Sequence, residues 1–385
     1  MTALAQLAGS AEGTTLLREE GVFLDRSSFV EALRPPESES LARLLDAGGD
    51  VGRAPIVYMG QQLSVDYGPS VLAKLFALCE LQANHDTLGV ALWVDTDRAG
   101  SDKRMTSIAW PRPAGREGVS LAPPGCKKRE PRFIRMEQPS LGQAWDRLRT
   151  YLGESGAGTR SLERYARLRG ITVSPPARTL ADLSARLTEF VLAENRIRPA
   201  HIRLSRLLEE AGVVERVQAC VDALPRVIEV FNRALEDLRG AGVDPLLHPL
   251  PDDYLPLRVA CEADHTRLRL RRRDGVGGTY AVARCQCGAS YRFRLGGDVL
   301  SIAEITRTRR WSPDVLLPVF LNDLASGVVG GRSSAVYGMV LNRVLREALG
   351  EDPIPMLVPE SLVSEDGVDT EPVGESLVVS YLLDS

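Results

Sequence analysis

Apolar residues along the chain form two patterns that predict alternating strands and helices. Residues 54–59 and 89–94 are short continuous apolar runs, which are typical of buried strands. Between them, apolar positions recur with a period of 3.6 residues after Pro69, and proline suits the first position of a helix. Strand, helix and strand at this spacing predict a βαβ unit, and therefore a parallel sheet with a right-handed crossover.

The rest of the chain changes character several times. Helical periods dominate residues 143–240, with predicted helices at 180–195, 201–211 and 214–238. Residues 254–297 switch to the alternation of a β-ribbon, and residues 311–349 return to helices that are interrupted by a glycine-rich turn at 327–331. Residues 353–358 are predicted to return a strand to the parallel sheet. The predicted fold class is therefore α/β.

Cysteine and histidine are sparse, yet four of them form a pattern typical of a metal site. Cys261 and His265 read C-x3-H, and Cys285 and Cys287 read C-x-C, in a chain with six cysteines and four histidines. Thiolate and imidazole are the ligands that zinc prefers, and four protein ligands usually make a structural site. We therefore predict a structural zinc site. A basic ribbon with incidental cysteines and a redox couple of Cys285 with Cys287 are the alternatives, whereas His85 and His201 are expected on the surface.

A first candidate binding loop follows the first predicted strand. The amides of Gln61 and Gln62 suit hydrogen bonds to an amino acid or a sugar, and Gly68 and Pro69 open the next helix. Ligands in open α/β sheets bind at the carboxyl ends of the strands. The free N–H groups and the dipole of a helix start favour anions there.

Two further loops carry candidate chemistry. Asp95 and Asp97 end the second predicted strand, where carboxylates suit an ammonium group, Mg²⁺ or a catalytic base, although an aspartate after a strand often caps the next helix. The glycine-rich turn would let backbone N–H groups approach a phosphate, and a tight turn between helices is an equal alternative. The residues of this turn taken as candidates for cofactor binding are Gly330, Gly331, Arg332 and Ser333.

Composition and charge narrow the kinds of partner that we expect this chain to bind. The net charge is −4, but residues 258–310 hold twelve arginines against five acids, and only acidic charges follow Arg346. Such a basic patch suits phosphates or nucleic acid, or is a solvated face. No apolar run is long enough to span a membrane, and sparse cysteines are typical of a reducing compartment, so we expect a cytoplasmic protein without membrane partners.

Ordered motifs in this chain resemble the cysteine-adding enzymes of bacillithiol biosynthesis. The resemblance covers residues 55–360, and further points of similarity are the segment 311–318 and the segment 353–359. The motifs are Gly60-Gln61-Gln62, Tyr67-Gly68-Pro69, Asp95-Thr96-Asp97 and, later, Gly330-Gly331. The chain looks like a divergent member, because Arg98 to Asp102 stand where the family has a histidine after its carboxylates. The ribbon at 254–297 also stands in place of a shorter hairpin.

The resemblance implies a Rossmann-like core related to class I aminoacyl-tRNA synthetases, with a helical insertion. Residues 1–140 and 301–385 would form the two parts of this core, the latter with an acidic tail, 141–250 the insertion, and 251–300 a small zinc-ribbon-like β element. The residues that would line the pocket are Gln61, Gln62, Gly68, Pro69, Asp95, Asp97, Gly330 and Gly331. Without the family's C-terminal coiled coil, we expect a monomer or a dimer built differently.

The leading functional hypothesis is a ligase that adds cysteine, or a related amino acid, to a small amine acceptor. Joining a free carboxylate to an amine requires activation, so ATP and Mg²⁺ are expected cofactors beside structural zinc. In this hypothesis Asp95 and Asp97 hold the ammonium group or the metal, and Gln61 and Gln62 orient the acceptor. One alternative is a module that binds nucleic acid or a carrier protein through the basic ribbon. Another is a scaffold without activity.

Overall fold

The computed structural model of the chain describes residues 3–36, 41, 44–45, 54–112, 115–297, 299–363 and 376–383. The acidic tail predicted after Arg346 lies partly outside the described residues, because 364–375 and 384–385 are not among them. Asp298 of the basic segment is also outside them.

Thirteen strands are found in the described residues. They are β1 (Val22–Phe23), β2 (Ile56–Gln62), β3 (Leu88–Val94), β4 (Ser107–Arg112), β5 (Gly115–Ser120), β6 (Ala200–Arg203), β7 (Tyr254–Ala260), β8 (Arg267–Gly275), β9 (Gly278–Arg284), β10 (Ser290–Gly296), β11 (Trp311–Pro313), β12 (Gly327–Val329) and β13 (Met356–Leu357).

The helices fill the intervals between these strands. They are α1 (Ala3–Ala8), α2 (Ala11–Glu19), α3 (Arg26–Ala32), α4 (Pro69–Asn84), α5 (Gln138–Glu154), α6 (Thr159–Val173), α7 (Leu180–Glu194), α8 (Leu204–Leu207), α9 (Ala211–Asp222), α10 (Leu224–Gly240), α11 (Ala303–Thr306), α12 (Leu317–Phe320), α13 (Arg332–Arg343) and α14 (Leu377–Leu383). Short 3₁₀ turns include Pro131–Phe133, and a π-helical turn over Val344–Leu349 extends α13.

Six strands form one parallel sheet in the order β1-β13-β12-β2-β3-β6. Every pairing in it is parallel, including β2 with β3 and β12 with both β2 and β13. The predicted βαβ unit is β2-α4-β3, and the strand predicted at 353–358 is β13. The predicted α/β class, with a Rossmann-like parallel core, is therefore confirmed.

The two faces of this sheet carry separate apolar clusters. Tyr58 and Val90 pack in the cluster that contains Met339 of α13, whereas Met59 packs in the cluster that contains Leu75 of α4. Neighbouring residues of a strand point to opposite faces, so α4 and α13 cover opposite sides of the sheet. The chain thus reverses its winding between β2 and β12. This is the switch point at which open α/β sheets usually bind ligands.

One local prediction is wrong, and another is right only in part. The segment 201–211 is not one helix, because β6 extends the parallel sheet beside β3 and the helix starts only at Leu204. The glycine-rich segment 327–331 is a turn only in part, because Gly327–Val329 form β12 inside the sheet, whereas Gly330 and Gly331 lead into α13 as predicted. Both strands are short, and the hydrogen bonds of neighbouring strands decide their conformation more than local pattern does.

The ribbon predicted at 254–297 forms most of a second sheet. Its order is β10-β9-β8-β7-β11, and neighbouring strands run antiparallel. Strand β11 comes from the later segment and pairs with β7, so the sheet is tied to the chain that follows it. A separate hairpin of β4 and β5 follows β3.

Candidate functional site

Three cysteines and an aspartate meet where the antiparallel sheet turns. Cys261 and Asp264 lie in the turn between β7 and β8, and Cys285 and Cys287 lie in the turn between β9 and β10. The four ligand atoms all lie within 4.8 Å of one another. The Sγ atoms of Cys261 and Cys287 are 3.6 Å apart, and Cys285 Sγ lies 3.3 Å from an Asp264 carboxylate oxygen.

These spacings fit a tetrahedral metal ion. A zinc–sulfur bond of about 2.3 Å and a zinc–oxygen bond of about 2.1 Å place tetrahedral sulfur pairs about 3.8 Å apart and sulfur–oxygen pairs about 3.6 Å apart. The 3.6 Å and 3.3 Å separations fall close to these edges. The cluster could therefore hold a metal ion, and its thiolate donors suit soft or borderline metals such as zinc.

The fourth member of the cluster differs from the prediction, because His265 is not in it. His265 has a left-handed backbone (φ 60°) in the turn that leads into β8. Its ring stacks on Phe133, with 5.5 Å between the centroids, and its Nδ1 lies 2.9 Å from an Arg310 guanidinium nitrogen. Asp264 takes the place beside the cysteines, and one of its oxygens accepts a bond from the Thr266 N–H at 2.9 Å.

The polar groups of the cluster shift one another's ionisation. Burial, and the hydrogen bond that its thiol donates to Asp264, raise the pKa of Cys285 to about 12. Burial opposes ionisation of Cys261 as well, but the hydroxyl of Tyr291 donates to its sulfur at 3.3 Å and the pKa of Cys261 is lowered. Metal binding would displace the remaining thiol protons, because thiolates are the ligands.

The predicted loops do meet at the carboxyl edge of the parallel sheet. Gln61 and Gln62 end β2, and the pairing of Val328 with Tyr58 brings the residues that follow β12 beside them. Gly331 caps α13 with its backbone only, and a Cβ at that position would meet no other atom of the described residues within 4 Å. Space is therefore open beside the helix start at Gly331.

Two sequence neighbours of Gly331, Gly330 and Arg332, are held by contacts within the protein. Gly330 donates its N–H to Leu357 O at 2.9 Å, and a Cβ there would lie 2.6 Å from Met356 Sδ, so close packing requires this glycine. The Arg332 side chain donates to the carbonyl of Leu362. Ser333 is exposed. Of the four residues predicted to bind a cofactor, Gly330 and Arg332 have structural contacts, whereas Gly331 and Ser333 remain accessible.

The other predicted helix start is covered. Gly68 caps α4, with Pro69 at the first helical position, but Gly68 is buried. Next to it, Asp66 accepts bonds from the Ser376 hydroxyl and, at 3.0 Å, from the Val378 N–H of α14. Burial raises the pKa of Asp66 to about 6. Helix α14 therefore holds the loop before Gly68 in place, and a ligand could reach this helix start only if the loop moved.

Gln61 has a partner that was not foreseen from the sequence. Its Oε1 accepts a hydrogen bond from Lys74 Nζ at 2.7 Å. Lys74 is only 7 % exposed, and no acidic residue among those the structure describes forms an ion pair with it. Burial lowers its pKa to about 8. The signal is present in the sequence, since Lys74 occupies the apolar stripe of α4 between Val71 and Leu78.

Both predicted carboxylates already bind protein groups. Asp95 is buried, and its two oxygens accept bonds from the Ser205 hydroxyl and, at 2.9 Å, from the Ser205 N–H. Asp97 accepts Gln62 Nε2 at 3.1 Å and Arg267 Nη1 at 3.1 Å. Burial opposes ionisation of Asp97, but Arg267 and these hydrogen bonds leave its pKa lowered. Asp95 therefore ties β3 to the chain after β6, and Asp97 orients Gln62.

Arg267 connects this edge to the antiparallel sheet. It lies on β8, two residues after His265, and reaches Ser312 Oγ at 3.1 Å and Pro313 O at 2.6 Å in addition to Asp97. Buried Glu130 lies 3.6 Å from it. These hydrogen bonds and ion pairs connect the turn that carries Cys261 and Asp264 to the carboxyl edge of the parallel sheet.

Many arginines of the ribbon have partners. Arg271 and Arg273 pair with Asp253, and Arg269 pairs with Asp314. Arg292 lies over the ring of Tyr280 at 3.7 Å. The basic segment is thus more neutralised than its sequence suggests.

His201 is not the surface residue that the sequence predicts. It lies on β6 and is partly buried, and its Nδ1 accepts the Trp93 indole N–H at 3.0 Å. Burial lowers the pKa of His201 to about 4. The ring is therefore a neutral packing partner of Trp93 near neutral pH.

No helix of the described residues has the length and apolar character needed to cross a membrane. Comparison of the chain with models of protein families and with curated proteins gives no match. The family resemblance carried by the motifs therefore stays a prediction.

Proposed function

We propose that this chain is a ligase-like enzyme that joins an amino acid to a small amine with the consumption of ATP. The observation that carries the proposal is the switch point between β2 and β12. The pairing of β12 with β2 brings the start of α13 at Gly331 beside the end of β2, where Gln61 accepts a hydrogen bond from the buried amine of Lys74. That amine has no acidic partner among the described residues. Helix starts and isolated cations favour carboxylates and phosphates, the groups that amide ligases must activate.

The contacts of Lys74, Gln61 and Gln62 suggest a role for each of them in this proposal. The Lys74 amine, placed by Gln61, would stabilise negative charge on the carboxylate or on the phosphoryl group transferred to it. Gln62, held by Asp97, would orient the amine acceptor. ATP with Mg²⁺ supplies the activating group. The carboxyl carbon then bonds to the amine nitrogen, the carboxyl oxygen leaves with the phosphoryl group, and the amine proton goes to solvent.

Cysteine is the first amino acid to test, because the motifs resemble those of cysteine-adding enzymes. We also propose that the cluster of Cys261, Asp264, Cys285 and Cys287 binds zinc. All four positions are protein ligands, which is typical of a structural rather than a catalytic site. Zinc would fix the turn that leads through Thr266 to Arg267, and hence the position of Asp97.

The test is nucleotide turnover by the 385-residue chain. ATP and Mg²⁺ are supplied with L-cysteine and a panel of amino sugars and polyamines, and release of phosphate or pyrophosphate is measured. We expect turnover that depends on cysteine, its loss in Lys74→Met, and its retention in Lys103→Met, which removes an exposed lysine. Absence of ATP binding by calorimetry, or full turnover by Lys74→Met, would contradict the proposal.

The nucleic-acid alternative predicts a different result. Binding through ribbon arginines would saturate with tRNA and weaken steeply with salt. Because Arg269, Arg271 and Arg273 pair with acids, we expect no saturable RNA binding. A titration at two salt concentrations separates the two functions.

A further inference from the structure

A cavity of about 550 Å³ lies beside the carboxyl ends of β3 and β6. Its walls come from the 3₁₀ turn at Pro131–Phe133, the start of α7, the segment after β6, and the chain between α11 and β11. Gln61, Lys74 and Gly331 do not line it. The cavity is therefore separate from the proposed activation site, although both open at the same edge of the sheet.

The lining is rich in arginine. Five arginines and three acidic residues line the cavity. The acids are already engaged: Asp95 accepts both Ser205 donors, Asp182 pairs with Arg203 at 3.0 Å, and Glu209 lies 3.7 Å from Arg206. A negatively charged ligand would therefore meet little repulsion from these carboxylates.

Two arginines of the lining have no side-chain partner among the residues that the structure describes. Arg307 and Arg309 are exposed and follow α11. Arg309 has a left-handed backbone (φ 52°), and the next residue, Arg310, is fixed by bonds from its guanidinium to Ala260 O and Cys261 O. Both arginines line the same cavity. Guanidinium is the side chain best suited to carboxylate and phosphate.

Part of the remaining wall is apolar. Leu208, Val214 and Trp311 line the cavity with Phe133, whose ring lies under the Arg132 guanidinium at 4.7 Å. The volume falls within the range of small-molecule sites and is too large for an inorganic ion alone. A ligand that fills this cavity would have an organic body beside its negative group.

We propose that this cavity binds a small organic molecule that carries a phosphate or carboxylate group, held by Arg307 and Arg309. The proposal does not depend on the ligase activity, because none of the residues placed in that activity lines the cavity apart from Asp95, whose oxygens are engaged.

The test is isothermal titration calorimetry of the 385-residue chain at low ionic strength with two probes. Glucose 6-phosphate represents organic phosphates, and citrate represents organic carboxylates. We expect one of them to bind with 1:1 stoichiometry, and the stronger of the two identifies the anionic group. The double variant Arg307→Gln/Arg309→Gln should weaken this binding at least tenfold.

Three further variants make the result specific. Arg149→Gln/Arg169→Gln removes the same charge from exposed positions on α5 and α6 and should leave affinity unchanged. Val214→Trp should abolish binding by filling the cavity, and Lys74→Met should bind normally even if ligase activity is lost. The proposal is overturned if neither probe binds the wild-type chain at millimolar concentration, or if the two double variants weaken binding equally.

Discussion

Replacing Lys74 by methionine tests whether this chain retains a destabilising charge at its sheet edge. Methionine keeps the aliphatic length of the side chain but removes the buried amine. The pKa of Lys74 falls from the usual 10.5 to about 8, and at about 1.4 kcal/mol per pKa unit the buried charge costs about 3 kcal/mol near neutral pH. Loss of the bond to Gln61 offsets about 1 kcal/mol of the gain. We expect the free energy of unfolding to rise by about 2 kcal/mol at pH 7.

The gain should depend on pH in a defined direction. Below pH 8 the amine is protonated in both the folded and the unfolded chain, so the wild type carries the full penalty. Between pH 8 and the usual 10.5 the unfolded chain binds more protons than the folded one, and wild-type stability therefore rises with pH. The advantage of Lys74→Met should shrink across this window.

Urea unfolding followed by circular dichroism at pH 7 and at a pH near 10 measures both effects. The exposed Lys103→Met variant is the matched control and should change stability by less than about 0.5 kcal/mol. The reasoning is refuted if Lys74→Met is less stable than the wild type at pH 7. A gain of the same size at both pH values would refute it as well.

Three further predictions concern the cysteine cluster and the buried polar contacts of Asp95 and Arg267. Zinc content measured against a competing chelator should fall in Asp264→Ala and stay at one ion per chain in His265→Ala; the reverse order would restore histidine as the ligand. Asp95→Asn should lose about 1–3 kcal/mol in chemical unfolding, since an amide cannot accept both Ser205 donors, and an unchanged midpoint would contradict this. Arg267→Met should lose about 1–3 kcal/mol because Asp97 and the carbonyl of Pro313 lose their donor, whereas buried Glu130 keeps Arg132 and Ser312 as partners, and a neutral result in the same assay would show that the network contributes no stability.

Local pattern predicts the parallel sheet because its central strands are apolar on both faces. Residues 54–59 and 89–94 are continuous apolar runs, and the helix between them has a clear 3.6-residue period, so periodicity alone predicts a βαβ unit. Strands β6 and β12 are only four and three residues long. At that length the hydrogen bonds of neighbouring strands fix the conformation, and a single sequence does not record which strands are neighbours.

In the candidate site as well, local sequence predicts some residues, whereas others depend on the fold. The three cysteines are predictable because cysteine is sparse in this chain and closely spaced thiols are typical of metal sites. The fourth member is not, because Glu262, Asp264 and His265 all lie within reach in sequence, and only the backbone of the turn decides which side chain faces the sulfurs. Lys74 is visible as a cation in an apolar stripe, but its contact with Gln61 depends on the packing of α4 against β2.

Arg267 connects the turn that could hold a metal ion to the edge of the parallel sheet that we propose as the ligand site. The turn from Cys261 to Thr266 leads directly into Arg267, whose guanidinium holds Asp97, and Asp97 in turn holds Gln62 at the end of β2. A metal ion that closes the turn would restrict Arg267 before any ligand arrives. Side chains that are fixed in advance lose less entropy on binding, so a structural ion distant from the reacting groups can still increase their affinity for substrate.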